Sequence, residues 1–400
     1  MKVFKFGGAS VKDAEGIKNV IKVLKEVGYN ETLIVVSAFG KTTNALEQIV
    51  REYMEDSSNM QNSILKLLKF HLDIINKLYD SDYTFIALEI QKIFEELKHF
   101  FQTNKSPDYN FIYDQVVSLG EIISTTILSN YLNYSGINNI WLDARKLIKT
   151  DNYYRDANLN WELSKEKILI NIDIKNVYIT QGFIGSDNNN FSTTLGREGS
   201  DYSAAIFAYV LNAEFVTIWK DVDGVLNADP RYFKKTILLN RISYQEAIEL
   251  AFYGASVIHP KTLQPLQRKE IPLNVRSFLN PSKKGTIVSK GAKMEPIVPC
   301  FIIKKNQVLL RLSSLDFSFI VEENISDIFL LLHKFKMRVE LIQNSAISFS
   351  VCVSNKYDNL DELEYNLRSK YNVNVYDGVT LRTIRHFNST SLKSINKNNS

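Results

Sequence analysis

The segment Thr193-Thr194-Leu195-Gly196-Arg197-Glu198-Gly199-Ser200-Asp201 places glycines, hydroxyls and a guanidinium directly before the apolar run Tyr202 to Leu211. A strand-loop-helix junction of this composition aims backbone N–H groups and an arginine at the positive end of a helix, where a phosphate or carboxylate is held. A second Gly-rich turn opens the chain: Lys2 to Phe6 reads as a strand, Gly7-Gly8-Ala9-Ser10 breaks it, and helical signals begin near Asp13. Lys5 lies just before that turn. Small residues there would admit a polyphosphate to the backbone, beside an ammonium able to neutralise charge on a transferring phosphoryl group. The residues alone equally allow an edge-strand lysine next to an ordinary turn. The spacing Gly-x4-Gly-Lys-Ser/Thr is absent, so a phosphate site here is not a P-loop.

The stretch Lys220-Asp221-Val222-Asp223-Gly224-Val225-Leu226-Asn227-Ala228-Asp229-Pro230-Arg231 follows a buried-strand signal ending at Trp219. Ligands of doubly wound sheets bind beyond the carboxyl ends of strands, where this loop must lie. Asp221, at the strand terminus, is a candidate to orient a metal or a lysine, and Lys220 and Arg231 are candidates to face phosphate oxygens. Asp223 and Asp229 read better as turn residues with solvated ion pairs. Glu121, in Ser118-Leu119-Gly120-Glu121, stands where a long apolar helix is expected to begin. It could bind an amine, but a glutamate at a helix start more often serves the macrodipole. His71, His99, His259, His333 and His386 share no ligand spacing and pair with no nucleophile, which disfavours hydrolase chemistry and a zinc site.

Periodicity supplies the elements that must carry these groups. Lys2 to Phe6 and Thr32 to Ser37 read as buried strands on either side of a helix from Asp13 to Val27, a unit with a right-handed crossover. From Asn44 to about Tyr134 the pattern is helical, with Ile64, Leu67, Leu68, Leu72 and Ile75 on one stripe. Strand signals return at 139–142, 177–180, 215–219 and 273–275 with helices between them. The expected fold class is therefore α/β, a mostly parallel sheet sandwiched by helices. Ser186 to Asn190 reads as a solvent-exposed hairpin loop. Composition shifts at Asn280 to Gly285, and a Pro-flanked connector, Pro296 to Pro299, follows. Beyond it, 307–312, the helix 324–335, 338–342, 346–353, the helix 359–371 and 373–376 have the order of a ferredoxin-like α+β module. Leu381 to His386 looks like the beginning of another such unit. The expected organisation is 1–290, 300–387 and a polar tail over 388–400.

A chain of 400 residues with hydrophobic content of 45% and charge of 23% is globular, and its net charge of +4 is spread thinly, which argues against a nucleic-acid partner. Cys300 and Cys352 give neither a disulfide framework nor metal-ligand spacing, as in a reducing compartment. No apolar run is read as long enough to span a bilayer, and Met1-Lys2-Val3-Phe4 enters a strand directly. A cytoplasmic protein without a membrane partner is expected.

Taken together and in order, Lys5-Phe6-Gly7-Gly8-Ala9-Ser10, Gly196-Arg197-Glu198-Gly199-Ser200-Asp201 and the Asp221 loop resemble aspartate kinase, of the amino-acid kinase superfamily, over roughly residues 1 to 290. The C-terminal module resembles an ACT regulatory domain. The resemblance implies transfer of the γ-phosphoryl group of ATP, carried as MgATP, to the side-chain carboxylate of L-aspartate, giving 4-phospho-L-aspartate for lysine, threonine and methionine synthesis. It implies that Lys5 stabilises the transferring group, that Gly7, Gly8 and Ser10 hold phosphate oxygens, and that Asp201 orders the catalytic lysine. Arg197 would take the α-carboxylate of aspartate, with Ser37, Thr43 and Glu121 completing the pocket and Glu121 receiving the ammonium group. Lys220, Asp221, Leu226 and Arg231 fall at nucleotide contacts. A lysine or threonine effector and a homodimer are the corresponding expectations. Ala9 and Glu198 replace the family's usual threonine and glycine. The second lysine of some relatives is not evident in Arg276 to Pro281, which leaves Lys261 and Lys283 as substitutes. A kinase of another amino acid such as glutamate, and a non-catalytic amino-acid sensor, are the competing readings.

Overall fold

The structure, a computed structural model, describes residues 1–80, 84–255, 258–316 and 318–388. Strand β1 (Lys2–Phe6) leads to α1 (Ala14–Val27), whose start is fixed by Asp13, its carboxylate accepting the Gly16 N–H at 2.9 Å. Strand β2 (Thr32–Val36) returns parallel to β1. Four helices come next: α2 (Thr42–Met54), α3 (Met60–Leu78), α4 (Thr84–Thr103) and α5 (Tyr109–Tyr134). The chain continues through β3 (Ile140–Leu142), α6 (Ala144–Leu147), α7 (Trp161–Asn171), β4 (Tyr178–Gln181) and the hairpin β5 (Ile184–Ser186) and β6 (Ser192–Thr194). Then come α8 (Gly199–Leu211), β7 (Val216–Lys220), β8 (Arg241–Ser243), α9 (Tyr244–Tyr253), α10 (Pro260–Arg268), β9 (Leu273–Ser277) and β10 (Thr286–Ser289).

Among the described residues these strands form an eight-stranded sheet in the order β3-β4-β2-β1-β7-β9-β10-β8, parallel except for the β9–β10 pair. The central strands are buried on both faces, which is why their apolar residues run together instead of alternating. Phe6 stacks on Trp219 with ring centroids 6.1 Å apart, tying β1 to β7. The helical stretch departs from expectation in detail. On α3 the buried stripe is Ile64, Leu67, His71, Ile74, Ile75 and Leu78, with Leu68 and Leu72 only half-buried, because the stripe turns about His71. That imidazole is sealed in the core, donating from Nδ1 to the Leu67 carbonyl and accepting at Nε2 from Thr42 Oγ1. Burial pulls its pKa down to about 4.

Helix α5 also corrects the sequence reading. By length and hydropathy it qualifies as a membrane span, yet it is mostly buried inside the protein, packed against α2, α4, β4 and β6. Gly120 does not open it. The glycine sits mid-helix where a Cβ would lie 3.2 Å from Ala38, Leu46 and Thr42, so its role is close helix packing.

The chain packs as two units: 1–226 with 238–248 and 256–296, and 227–237 with 249–255 and 297–400. In the second, β11 (Cys300–Ser314), α11 (Glu322–Lys334), β12 (Arg338–Asn344), β13 (Ser348–Ser354), α12 (Leu360–Arg368) and β14 (Tyr371–Arg385) form an antiparallel sheet in the order β12-β13-β11-β14. This is the ferredoxin-like arrangement. Its core gathers Leu310, Leu312, Ile328, Leu332, Phe349, Val351, Leu363 and Leu367. Leu381 to His386 does not begin a new unit. Through Arg385 it continues β14, pairing with Cys300 to Lys304 beyond two register shifts. The tail expected over 388–400 lies, past Asn388, outside the described residues.

One close approach fixes the seat of α8. A Cβ on Gly182, just past β4, would lie 2.6 Å from Ser200 Cβ and 2.7 Å from Ser200 Cα. Gly182→Ala should therefore push the first turn of α8 outward and destabilise the protein by about 1–3 kcal/mol. Thermal denaturation checks this; an unchanged melting temperature would mean that the helix does not rest on this glycine.

Candidate active site

The carboxyl ends of β4, β2, β1 and β7 lie side by side, and the turns leaving them carry most of the residues singled out above. Such an edge, where neighbouring crossovers leave in opposite directions, is where open α/β sheets hold ligands. Between Gly7 and Val11 the backbone closes on itself, with the Ser10 and Val11 N–H groups donating to the Gly7 carbonyl. A Cβ on Gly8 would stand 2.9 Å from the Ala38 carbonyl oxygen, so only glycine lets this turn meet the loop after β2. Ser37 belongs to that loop and donates its N–H to the Phe6 carbonyl at 3.1 Å. Thr43 lies in the first turn of α2, immediately beyond it.

Lys5 is buried, and its Nζ contacts Asp201 Oδ1 at 2.6 Å. Asp201 sits in the first turn of α8 at 0% exposure, and Lys220, the last residue of β7, approaches its other oxygen at 3.4 Å. Burial would raise the pKa of this carboxyl, but the ammonium groups of Lys5 and Lys220 outweigh it and hold it below the ordinary carboxylate range. The contact ties the amino-terminal turn to the helix that the Arg197 loop opens. Arg197 is exposed, four residues before Asp201.

The Arg197 loop is built by tight packing. Gly196 has φ +75°, and a Cβ there would lie 2.3 Å from Asp156 Oδ1. Glu198 takes a left-handed conformation at the helix start, φ 56°, and no side chain caps α8. Lys261 braces the loop from α10, its Nζ 3.0 Å from Asp156 Oδ1 and 3.1 Å from the Leu195 carbonyl. Lys283 pairs instead with Asp223 at 2.8 Å.

Glu121 lies midway along α5, so the expectation that it serves a helix start is overturned. It is 2% exposed; Oε1 accepts the Ala38 N–H at 3.3 Å, and Oε2 has no hydrogen-bond partner. Burial drives its pKa up to about 8, opposed by the Ala38 N–H and by Lys5. Glu121 thus keeps one unpartnered buried oxygen near Lys5 and the loop after β2.

Ser10 and Arg231 have polar partners within the chain. Ser10 Oγ donates to the Trp219 carbonyl at 3.4 Å, which directs the hydroxyl to the backbone of β7. Arg231 is exposed, pairs with Asp229 at 2.6 Å, and belongs to the segment 227–237 that packs with the second unit. Asp229 and Asp223 are turn residues with ion pairs. Asp221 is exposed just past β7, and Leu226 is half-buried and bridges to Leu238.

Two groups escaped the sequence reading. Asp114 on α5 is fully buried; it accepts the Thr194 N–H and hydroxyl, each at 2.8 Å, and the Arg155 N–H at 3.0 Å, so it anchors the hairpin leading into the Arg197 loop. Burial lifts its pKa to about 6. Thr286 on β10 secures the loop after β7, its Oγ1 accepting the Val225 N–H at 2.8 Å and donating to the Leu239 carbonyl at 2.6 Å. The visible signal for Asp114 was that it and Glu121 are the acids of the stretch that forms α5. Nothing marked Thr286.

Comparison with known proteins agrees with this geometry. Residues 1–277 match the model of the amino acid kinase family. The chain is 31% identical over 361 residues to lysine-sensitive aspartokinase 3 of Escherichia coli, covering 87% of this chain and 77% of that protein. It is 33% identical over 328 residues to the chloroplastic aspartokinase 1 of Arabidopsis thaliana, covering 78% of this chain and 56% of that protein. Among solved structures, E. coli aspartokinase III in complex with lysine and aspartate superposes with a TM-score of 0.81 at 29% identity, over 96% of this chain and 86% of that one. The same enzyme with aspartate and ADP gives 0.80 at 28% identity, over 96% and 87%. With its lysine turn and arginine loop brought to one sheet edge by Asp201, the chain belongs to the amino acid kinase family, among the aspartokinases.

Proposed function

We propose that the edge formed by β4, β2, β1 and β7 transfers the γ-phosphoryl group of ATP to the side-chain carboxylate of L-aspartate. The observation that carries this reading is the buried Lys5–Asp201 pair, which orients an ammonium beside the Gly7-Gly8 turn. The acceptor carboxylate is ionised at neutral pH and needs no general base, so catalysis reduces to alignment and charge neutralisation. Lys5 neutralises charge on the transferring group, and the Gly7 and Gly8 N–H groups receive phosphate oxygens. Mg2+ arrives with the nucleotide. Lys220, Asp221 and Leu226 border the nucleotide.

In the acceptor pocket Arg197 pairs with the α-carboxylate and Glu121 takes the ammonium group, with Ser37 and Thr43 beside them. Support for Glu121 is its open buried oxygen. A bound ammonium would return this carboxyl to its ionised form, so aspartate uptake near neutral pH should release a proton. The first unit is then catalytic, and the second, with its ferredoxin-like sheet, is an ACT regulatory module. The lysine sensitivity in the name of the E. coli relative supports lysine over threonine as its effector. Ser345, whose N–H and hydroxyl meet the Ser348 carbonyl between β12 and β13, marks the candidate effector turn. A cytoplasmic homodimer completes this reading.

Purified protein given MgATP with aspartate, with glutamate or with neither, and acyl phosphate trapped as hydroxamate, tests the assignment: product should require aspartate. Glutamate preference would replace the acceptor, and ligand binding without turnover would replace catalysis by sensing. Lys5→Ala should lower kcat by about 10²–10³-fold, the scale of a lost oxyanion donor, and normal turnover in the folded variant refutes its role. Arg197→Ala should chiefly raise the KM for aspartate; an effect confined to ATP would assign it to the other substrate.

Glu121 also makes stability depend on pH. Its folded pKa of about 8 stands above its ordinary 4.5, so between these values the folded chain holds more proton than the unfolded one, and stability falls as pH rises. Glu121→Gln keeps the acceptor for Ala38 and removes this penalty. At about pH 8.5 the variant should be more stable by a few kcal/mol at most, at roughly 1.4 kcal/mol per pK unit, with the gap closing towards pH 5. Its affinity for aspartate should fall at least tenfold, about 1.4 kcal/mol or more. Urea denaturation at the two pH values and titration calorimetry check both.

A further inference from the structure

We propose that the groove between α2 and α3 binds a small amphipathic monoanion, a carboxylate carried on an apolar body of about the size of a phenyl ring. The inference goes beyond the phosphotransfer reading and does not depend on it. The groove has a volume of about 320 Å³, within the range of small-molecule pockets. Ala45 and Thr42 on α2 and Leu67 and Phe70 on α3 form its walls. These walls are fastened together from inside. His71, fully buried, donates from Nδ1 to the Leu67 carbonyl at 2.8 Å and accepts at Nε2 from the Thr42 hydroxyl at 3.3 Å, so one imidazole bonds a lining residue of each helix. Its ring also packs edge-on against Phe70, with centroids 5.0 Å apart. A groove clamped in this way is formed before its guest arrives, which spares the guest the cost of ordering it.

Charge selects the guest. Lys41, immediately before α2, and Lys66, on α3, line the groove and are exposed, and among the described residues neither forms an ion pair. Lysines lay their methylene stems on apolar surface and keep the ammonium in water, so the two together offer a place to both ends of an anion with an apolar body. No acid lines the groove. Glu52, one turn beyond Gln48 on α2, instead accepts the Gln48 amide at 3.2 Å. Thr42, Ala45 and Gln48 follow each other at three-residue spacing and form the stripe of α2 that faces the groove, which leaves Thr43 of the acceptor side on a different face. The groove is therefore a separate site.

The test is titration calorimetry of the full chain with 3-phenylpropanoate, 3-phenylpropan-1-ol and 3-phenylpropylamine, which share one body and differ in charge. The acid should bind at least about fivefold more tightly than the alcohol or the amine. Lys41→Gln combined with Lys66→Gln should bring the acid down to the level of the alcohol, and Ala45→Trp, which fills the groove, should abolish its binding. Equal affinity for the three probes, tighter binding of the amine, or no uptake of the acid at about 10 mM overturns the proposal. Arg197→Ala locates the probe: unchanged affinity supports the groove, whereas lost binding places the acid at the Arg197 loop and overturns it. If Ala45→Trp does not fold, the exposed lysine pair decides, a loss of at least about fivefold supporting the site and wild-type affinity overturning it. The hydroxamate assay is read separately, so failure of this site leaves the phosphotransfer reading standing, and a chain without turnover can still bind the acid.

Discussion

The arrangement depends on one carboxylate. Asp201 is wholly out of water, an expensive position for a charge, and it is tolerable because two ammonium groups from neighbouring strands meet it. That requirement reaches outward in three directions. β1 and β7 must be adjacent and in register, α8 must begin close against the sheet, and Gly182 must leave room for it. The loop that opens α8 inherits its place from these constraints, so the arginine in it is positioned by a residue it does not touch.

Glu121 shows the opposite economy. Where Asp201 is satisfied from within the chain, Glu121 is left with one unpartnered oxygen and a pKa lifted by burial. The helix that carries it is mostly buried, so the fold holds a charge-seeking group in a place where, among the described residues, no protein cation pairs with it directly. Such a group weakens the protein, the more so as pH rises.

How much of this was legible varied with the range of the forces involved. Contiguous apolar runs announced β1, β2, β4 and β7, because burial on both faces leaves no alternation to misread. The two Gly-rich turns were legible because only small residues allow such close backbone approaches, as Gly8 against Ala38 shows. Glu121 was misplaced within its helix because a glycine reads locally as a break, whereas Gly120 exists for packing against α2. The contact of the Ser10 hydroxyl with a carbonyl more than two hundred residues away carried no local signal. Asp114 and Thr286 act through equally distant partners. The meeting of Lys220 with Asp201 was invisible for the same reason, since it needs the register of two strands to be known.

Strand β14 carries a consequence of a different sort. Its first half closes the ferredoxin-like sheet, and its second half runs on to cover Cys300 to Lys304 as a continuous ribbon. Without those last residues the start of β11 would present a bare row of amides and carbonyls, a template on which foreign chains assemble. The ribbon thus moves the open edge of the sheet from the start of β11 to the outer side of β14, where Arg382 and Arg385 supply charge of the kind that discourages strand pairing.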